Sequence, residues 1–418
     1  MSDLFLYDDN IARTFEPFAL TRPTGELRAG ALLLRERWEY ALGVRAAGLI
    51  TSEHLADFDE PWTGAPGVVR DRIRAGSILA NARCAVELAH TPEADAWRCG
   101  DRIAAVKLTR DVDVTELDRG GGALDGLARS GGRIADVQGN WIDRVWDFIN
   151  YLPAMLSADA FVLGQSAGRS GAALGMVAGP HGVFAEDGAT VEPQVFFDTT
   201  AGPVLVRRGA TVQAFTRVVG PCVIGRDSLV GGDKISGSSI GDTCKVHGEM
   251  SATIILGHSN KGHDGFVGHS YLGRWVNLGA GTITSNLKNT YGEVQFWTPS
   301  GEQNTGLQFL GTFFGDHAKT GIGTTLTTGT VLGAAANIYG SAMPPKAVPP
   351  FAWGDRAPYS TYRMDKFLEV AERVMGRRHV ELSEKQRRVL QQAFERRWTA
   401  DLKADVKADV NRSGRKPR

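Results

Sequence analysis

From residue 206 onward the apolar positions fall on a grid. Val206, Val212, Val218, Ile224 and Val230 each lie six residues after the last. Ile240 and Val246 resume the spacing after a phase shift, and Leu272 and Leu278 take it up again. Phe314, Leu326, Leu332 and Ile338 share one six-residue grid, with Thr320 on its remaining node. Glycine often follows the node, as in Ile224-Gly225, Leu272-Gly273 and Leu332-Gly333. Six is a multiple of the strand period of two, so every node faces one way, whereas a helix would scatter them. The pattern predicts a solenoid over 166–344, one short β-segment per hexapeptide, with the nodes filling its interior. An all-β sandwich would need five consecutive coincidences in its spacing.

The first 165 residues carry a different pattern. LFLYDD (4–9), AAGLIT (46–51), GSILAN (76–81) and DRIAAVKL (101–108) are short apolar runs of strand length. GELRAGALLLRERWEYAL (25–42) places Leu27, Leu32, Leu34, Trp38 and Leu42 near one helical face. RVWDFINYLPAMLSADAF (144–161) reads as a second amphipathic helix leading into the repeat. Strands alternating with helices predict an α/β domain with a partly parallel sheet. Residues 345–418 form a third region: a proline-rich break, two helices and a basic tail. Ser383 is the expected N-cap of the second helix.

Composition narrows the function without naming it. Lys+Arg 47 against Asp+Glu 47 leaves no global field to favour nucleic acid or an anionic membrane. No apolar run approaches the length of a membrane span, and MSDLFLYDDNIART has acids where a signal peptide carries bases. The four cysteines lack metal or disulfide spacing. A reduced, cytoplasmic enzyme acting on small molecules is the expectation. Gly 51 is the one excess.

The glycines gather with polar groups in KGHDGFVGHSYLGRWVNLGAGTITSN (261–286). This stretch resembles the acetyltransferase half of the bacterial bifunctional enzymes that make UDP-N-acetylglucosamine, over about one and a half coils. The repeat around it resembles the left-handed β-helix acyltransferases more broadly. The resemblance implies His263 as general base, since an amine must lose a proton to attack a thioester. It implies sugar and acyl contacts from Asn277 and Asn286, with Phe266 where the family usually has tyrosine. Asp316 falls where serine is common, and Ala334 where backbone meets coenzyme A. The same resemblance implies acetyl-CoA as cosubstrate and a homotrimer with its acyl site between subunits. His258 and His263, five apart, with His247 and His269, leave open a zinc site of the β-helix carbonic anhydrase type.

The first domain resembles the sugar-phosphate nucleotidylyltransferases in EPFALTRPTGELRAGALLLRERWE and GSILANARC. The resemblance implies a nucleoside triphosphate, with UTP the expected one, and Mg²⁺. Arg22, Arg28 and Asn81 would contact the substrates, and Asp8, Asp9 or Asp147 would hold the metal. Three features depart from the family pattern. Asp8-Asp9-Asn10 stands where its glycine-rich loop belongs, Thr24 where it has lysine, and Asn81-Ala82-Arg83 lacks its metal aspartate. The expected activity is nucleotidyl transfer to a sugar 1-phosphate coupled to N-acetylation of an amino-sugar phosphate. An acyltransferase with a non-catalytic sugar-nucleotide-binding domain is the alternative.

Overall fold

The computed structural model describes residues 2–119, 123–128 and 131–398; the basic stretch 401–418 lies outside them. Each of the four apolar runs in the first domain forms a strand of one six-stranded sheet. Its order is Ile134–Asp136, Ala96–Cys99, Arg102–Lys107, Ile78–Asn81, Leu4–Tyr7, Ala46–Ile50. Leu4–Tyr7 is parallel to both neighbours, whereas Arg102–Lys107 is antiparallel to both of its own. The result is the expected Rossmann-like α/β domain.

Two helices are shorter than their periodicity predicts. The α-helix expected over 25–42 occupies only Leu34–Leu42. Before it, Arg28–Ala29 and Leu32–Leu33 form a small antiparallel pair around Gly30, whose φ is +62°. A Cβ on Gly30 would lie 2.1 Å from Asp159 Oδ2, so the turn requires glycine. The run 144–161 splits into Asp147–Asn150 and Leu152–Gly164. Pro153 has no N–H with which to continue the first helix.

The second half is the β-helix that the six-residue grid predicts. Among the described residues, two of its sheets have ten strands and a third has six. Parallel ladders stack node on node: Val206 on Ile224, Val212 on Val230, Leu272 on Phe314 and Phe314 on Leu332. All of these side chains are buried in one continuous core. The phase shift after Val230 has a geometric cause. Val206 to Ile224 takes eighteen residues per coil, Ile224 to Ile240 sixteen, and Ile240 to Ile255 fifteen. The break between Leu278 and Phe314 contains an excursion with a hairpin, Gln295–Thr298 paired to Gly301–Asn304. The ladder also continues past the first prolines, because Ala347–Val348 pairs with Val331–Leu332.

One face of the solenoid is apolar outside as well as inside. Leu205, Val223, Ile254, Tyr271, Phe313 and Val331 alternate with inward nodes, yet are buried against Phe15, Phe18, Phe148, Leu152 and Met155. Phe18 and Tyr271 stack with ring centroids 4.5 Å apart, and the Tyr271 hydroxyl accepts from Arg28 N at 2.7 Å. The first domain therefore lies along this face. The C-terminal helices Met364–Gly376 and Glu384–Glu395 cover the adjoining corner, where Trp275, Ala334 and Phe351 pack with Phe367 and Leu390. Ser383 caps the second helix by accepting from Gln386 N.

Candidate functional site

The stretch 261–286 winds more than one full coil of the solenoid, through the strands Asn260–Lys261, Val267–Gly268, Tyr271–Arg274, Asn277–Leu278 and Ile283–Thr284. Lys261 occupies an inward position, paired in register with Val246, yet it is a lysine only 2% exposed. Its Nζ reaches back to the corner and donates to His247 O at 2.6 Å and His263 O at 2.9 Å. Burial lowers its pKa to about 8. Lys261 thus holds the chain that presents His263. The His263 side chain is exposed, and among the described residues its ring makes no hydrogen bond, ion pair or ring contact. Both ring nitrogens are open to a substrate.

Phe266 and Asn286 meet at Gly268, on the strand Val267–Gly268 that follows the His263 loop. A Cβ on Gly268 would lie 2.4 Å from the Phe266 ring and 2.8 Å from Asn286 Nδ2, so glycine makes room for both. Asn286 Nδ2 also lies 2.8 Å from His269 Nδ1, and the His269 ring stacks on Phe309 at 5.4 Å. Burial lowers the His269 pKa, favouring a neutral imidazole. His269 lies at the next corner, between the strands Val267–Gly268 and Tyr271–Arg274. Lys261 went unrecognised as a site residue in the sequence; a charged residue on an inward node was its signal. Asn277 lies away from this group, in an outward ladder with Asn260 and Lys319, where its Oδ1 accepts from Asn260 Nδ2 at 3.3 Å.

The other histidines do not converge. His258 is buried against Trp275 with its Nδ1 3.3 Å from Arg274 Nη1, and burial and Arg274 lower its pKa to about 3. His247 Nδ1 lies 3.1 Å from Asp264. Among the described residues no three His, Cys, Asp or Glu side chains are grouped to hold a metal ion. The zinc reading is corrected on this geometry: successive histidines occupy different corners of the prism.

Asp316 and Ala334, expected near coenzyme A, are covered by this chain itself. Asp316 accepts from Thr21 Oγ1 at 2.8 Å, Arg22 Nε at 2.9 Å and Arg274 N at 2.7 Å. Arg22 and Arg274 both pair with Glu60 at 2.9 Å. Burial alone would raise the Glu60 pKa, but the two guanidinium groups hold it at about 2. Arg22, 2% exposed, therefore bolts the first domain to the solenoid instead of facing a nucleotide. Arg28 is also buried there, with its Nη1 donating to Ala31 O.

Asn81, Asp9 and Arg83 do form a cluster in the first domain. Arg83 donates to both Asp9 oxygens, at 2.8 and 2.7 Å, and to Asp143 Oδ1 at 2.6 Å. Asn81 Nδ2 donates to Asp9 Oδ2 at 2.9 Å. Burial works against ionisation of Asp9, but Arg83 outweighs it and lowers the pKa. Asp8 accepts from Thr24 N and from Thr51 Oγ1 at 2.6 Å, while burial raises its pKa to about 6. Asp147 accepts from the amides of Asp143 and Arg144. A hard divalent cation needs open carboxylate oxygens. These three aspartates do not gather into such a site, and the guanidinium of Arg83 already neutralises Asp9.

Residues 4–167 match the family model described as sugar nucleotidyl transferase. This region is similar to that family, over less than half of the chain. The remainder of the chain lies outside the match. A 95-residue stretch is 36% identical to the bifunctional sugar-1-phosphate nucleotidylyltransferase/acetyltransferase of Sulfurisphaera tokodaii, covering 23% of this chain and 24% of that protein. Another, of 134 residues, is 30% identical to the bifunctional protein GlmU of Synechococcus sp. (strain CC9311), covering 30% and 26%. The chain thus spans about a quarter of the length of these curated relatives. A hexapeptide transferase family protein from Anaplasma phagocytophilum aligns at 12% identity over 56% of this chain and 96% of its own, with a TM-score of 0.24. His263 lies outside the residues that match the sugar nucleotidyl transferase model.

Proposed function

We propose that the solenoid transfers an acetyl group from acetyl-CoA to the amine of an amino-sugar phosphate, with His263 as general base. The observation that carries this reading is the exposed His263 ring, without a protein partner among the described residues, on a loop fixed by Lys261, with Phe266, Asn286 and His269 gathered around the strand Val267–Gly268 that follows. In the step, a His263 ring nitrogen takes the amine proton as nitrogen attacks the thioester carbon. The C–S bond then breaks, and the proton passes to the leaving thiolate. Asn286 presents an uncharged donor beside the reacting group, suited to a sugar hydroxyl or an acyl oxygen. The first domain would join a sugar 1-phosphate to a nucleoside triphosphate, UTP being the expected one, and the assembly would be a trimer. The two activities in the name of the Sulfurisphaera tokodaii relative, sugar-1-phosphate nucleotidylyltransferase and acetyltransferase, support this pairing.

A second reading has its own support. The Arg83–Asp9 pair and the burial of Arg22 and Arg28 favour a first domain that binds sugar nucleotides without turning them over. One pair of assays separates the two. His263→Ala is expected to lower CoA release from acetyl-CoA and glucosamine 1-phosphate by about 10²–10⁴-fold. Unchanged release would refute the base assignment. Pyrophosphate release from UTP and a sugar 1-phosphate, with Mg²⁺ present, reports on the first domain alone; its absence selects the second reading.

A further inference from the structure

A cavity of about 260 Å³ lies between the solenoid and the helix Met364–Gly376, extending to the residues just after that helix. Four cations line it: Lys245 and Lys319 from the solenoid, Arg377 and Arg378 from the helix end. No carboxylate is among the lining residues. Four buried arginines elsewhere are paired with carboxylates: Arg22 with Glu60, Arg35 with Glu26, Arg37 with Asp159, Arg83 with Asp9. These four form no ion pair among the described residues. Like charges gathered without counter-charge cost stability unless something anionic offsets them.

The polar groups between the cations are oriented to match. Arg378 Nη2 donates to Asn260 Oδ1 at 2.6 Å, and Asn260 Nδ2 donates to Asn277 Oδ1 at 3.3 Å. Both amide oxygens are therefore occupied inside the cluster. What the cavity has left to offer is N–H. Two guanidinium groups and two ammonium groups around a donor-rich cleft fit the oxygens of a phosphate ester, which guanidinium binds in bidentate fashion. Lys319 Nζ donates to His317 O at 3.1 Å, and burial lowers its pKa to about 8, a shift that an adjacent dianion would oppose.

We propose that this cavity is a binding site for the phosphate group of a small phosphoester, clamped between the solenoid face and the C-terminal helices. It does not depend on His263 as base: none of His263, Phe266 and Asn286 lines the cavity. A sugar phosphate and the 3′-phosphate of coenzyme A present the same chemistry, so the test must separate them. In titration calorimetry on the full chain, inorganic pyrophosphate is expected to bind, and more weakly as salt rises. Lys319→Gln and Arg377→Gln should each weaken binding about tenfold or more. Arg377 is exposed, so its substitution leaves the packing intact. Coenzyme A binding tighter than dephospho-coenzyme A, with the difference lost in Lys319→Gln, assigns the 3′-phosphate. Glucosamine 1-phosphate competing with pyrophosphate assigns the sugar phosphate. His263→Ala should bind pyrophosphate as the parent does, which keeps this proposal separable from the catalytic one. Absence of pyrophosphate binding, or unchanged affinity in both cavity variants, overturns it.

Discussion

Lys261 shows how one residue can mark a site within a repeat. An inward solenoid position is apolar in the neighbouring coils, at Val230, Val246 and Leu278, and a lysine there must carry its ammonium to acceptors. It finds the carbonyls of His247 and His263. The cost is visible in its pKa, lowered from 10.5 to about 8. Between those pH values the unfolded chain holds more protons on this group than the folded one, so stability rises with pH across that window. Below about pH 8 the penalty is fully present, on the order of 3 kcal/mol. Lys261→Met should flatten the rise in urea-unfolding free energy between pH 8 and 10. An unchanged rise would mean that Lys261 is not the group responsible. In this protein His263 could be singled out from the sequence because its motif is local. The partner of Asn286 could not, because His269 is brought to it by coil stacking seventeen residues away.

At the scale of elements, the six-residue grid specified the solenoid because each node needs only its nearest coils. Ile240 stacks on Ile224 and Ile255 and is fully buried. Ile240→Ala should cost about 2–5 kcal/mol of unfolding free energy. Phe215→Ala, at a side chain 76% exposed, should change it by no more than about 0.5 kcal/mol. Equal losses from the two would contradict the stacking account. The helices were less legible. The apolar spacing of 25–42 continued through Gly30, but Asp159, which accepts from Ala31 N at 2.8 Å, stabilises a turn there. A contact across 128 residues overrode a local period.

At the scale of the whole molecule, the buried network at Asp316 fastens the two halves. It joins Thr21 and Arg22 of the first domain to the solenoid, and through Glu60 it reaches Arg274. Asp316→Ala leaves Arg22 with a partner missing in a buried setting, for a cost of about 3–5 kcal/mol. Combined with Arg22→Ala, the loss should fall well short of the sum of the single losses, because the two residues share one interaction. Additive losses in denaturant unfolding would show that they are not coupled. The C-terminal helices complete the assembly, with Arg388 on Asp57 and Ser383 Oγ donating to Asp59. Among the described residues no helix is long and apolar enough to cross a membrane.

By itself the sequence determined the β-helix, the strands of the first domain and the capped C-terminal helix. Each depends on spacing within one coil or one element, and short-range periodicity records that directly. Only the tertiary structure decided which polar residues are free. Arg22, Arg28, Asp9 and Asp316 are the residue types a nucleotide or acyl site would use, yet burial pairs them with protein groups instead of ligands. The same packing gathers Lys245, Lys319, Arg377 and Arg378 without counter-charge, although they come from three distant parts of the chain. A buried charge takes its role from what faces it, and what faces it is set by the docking of one element on another.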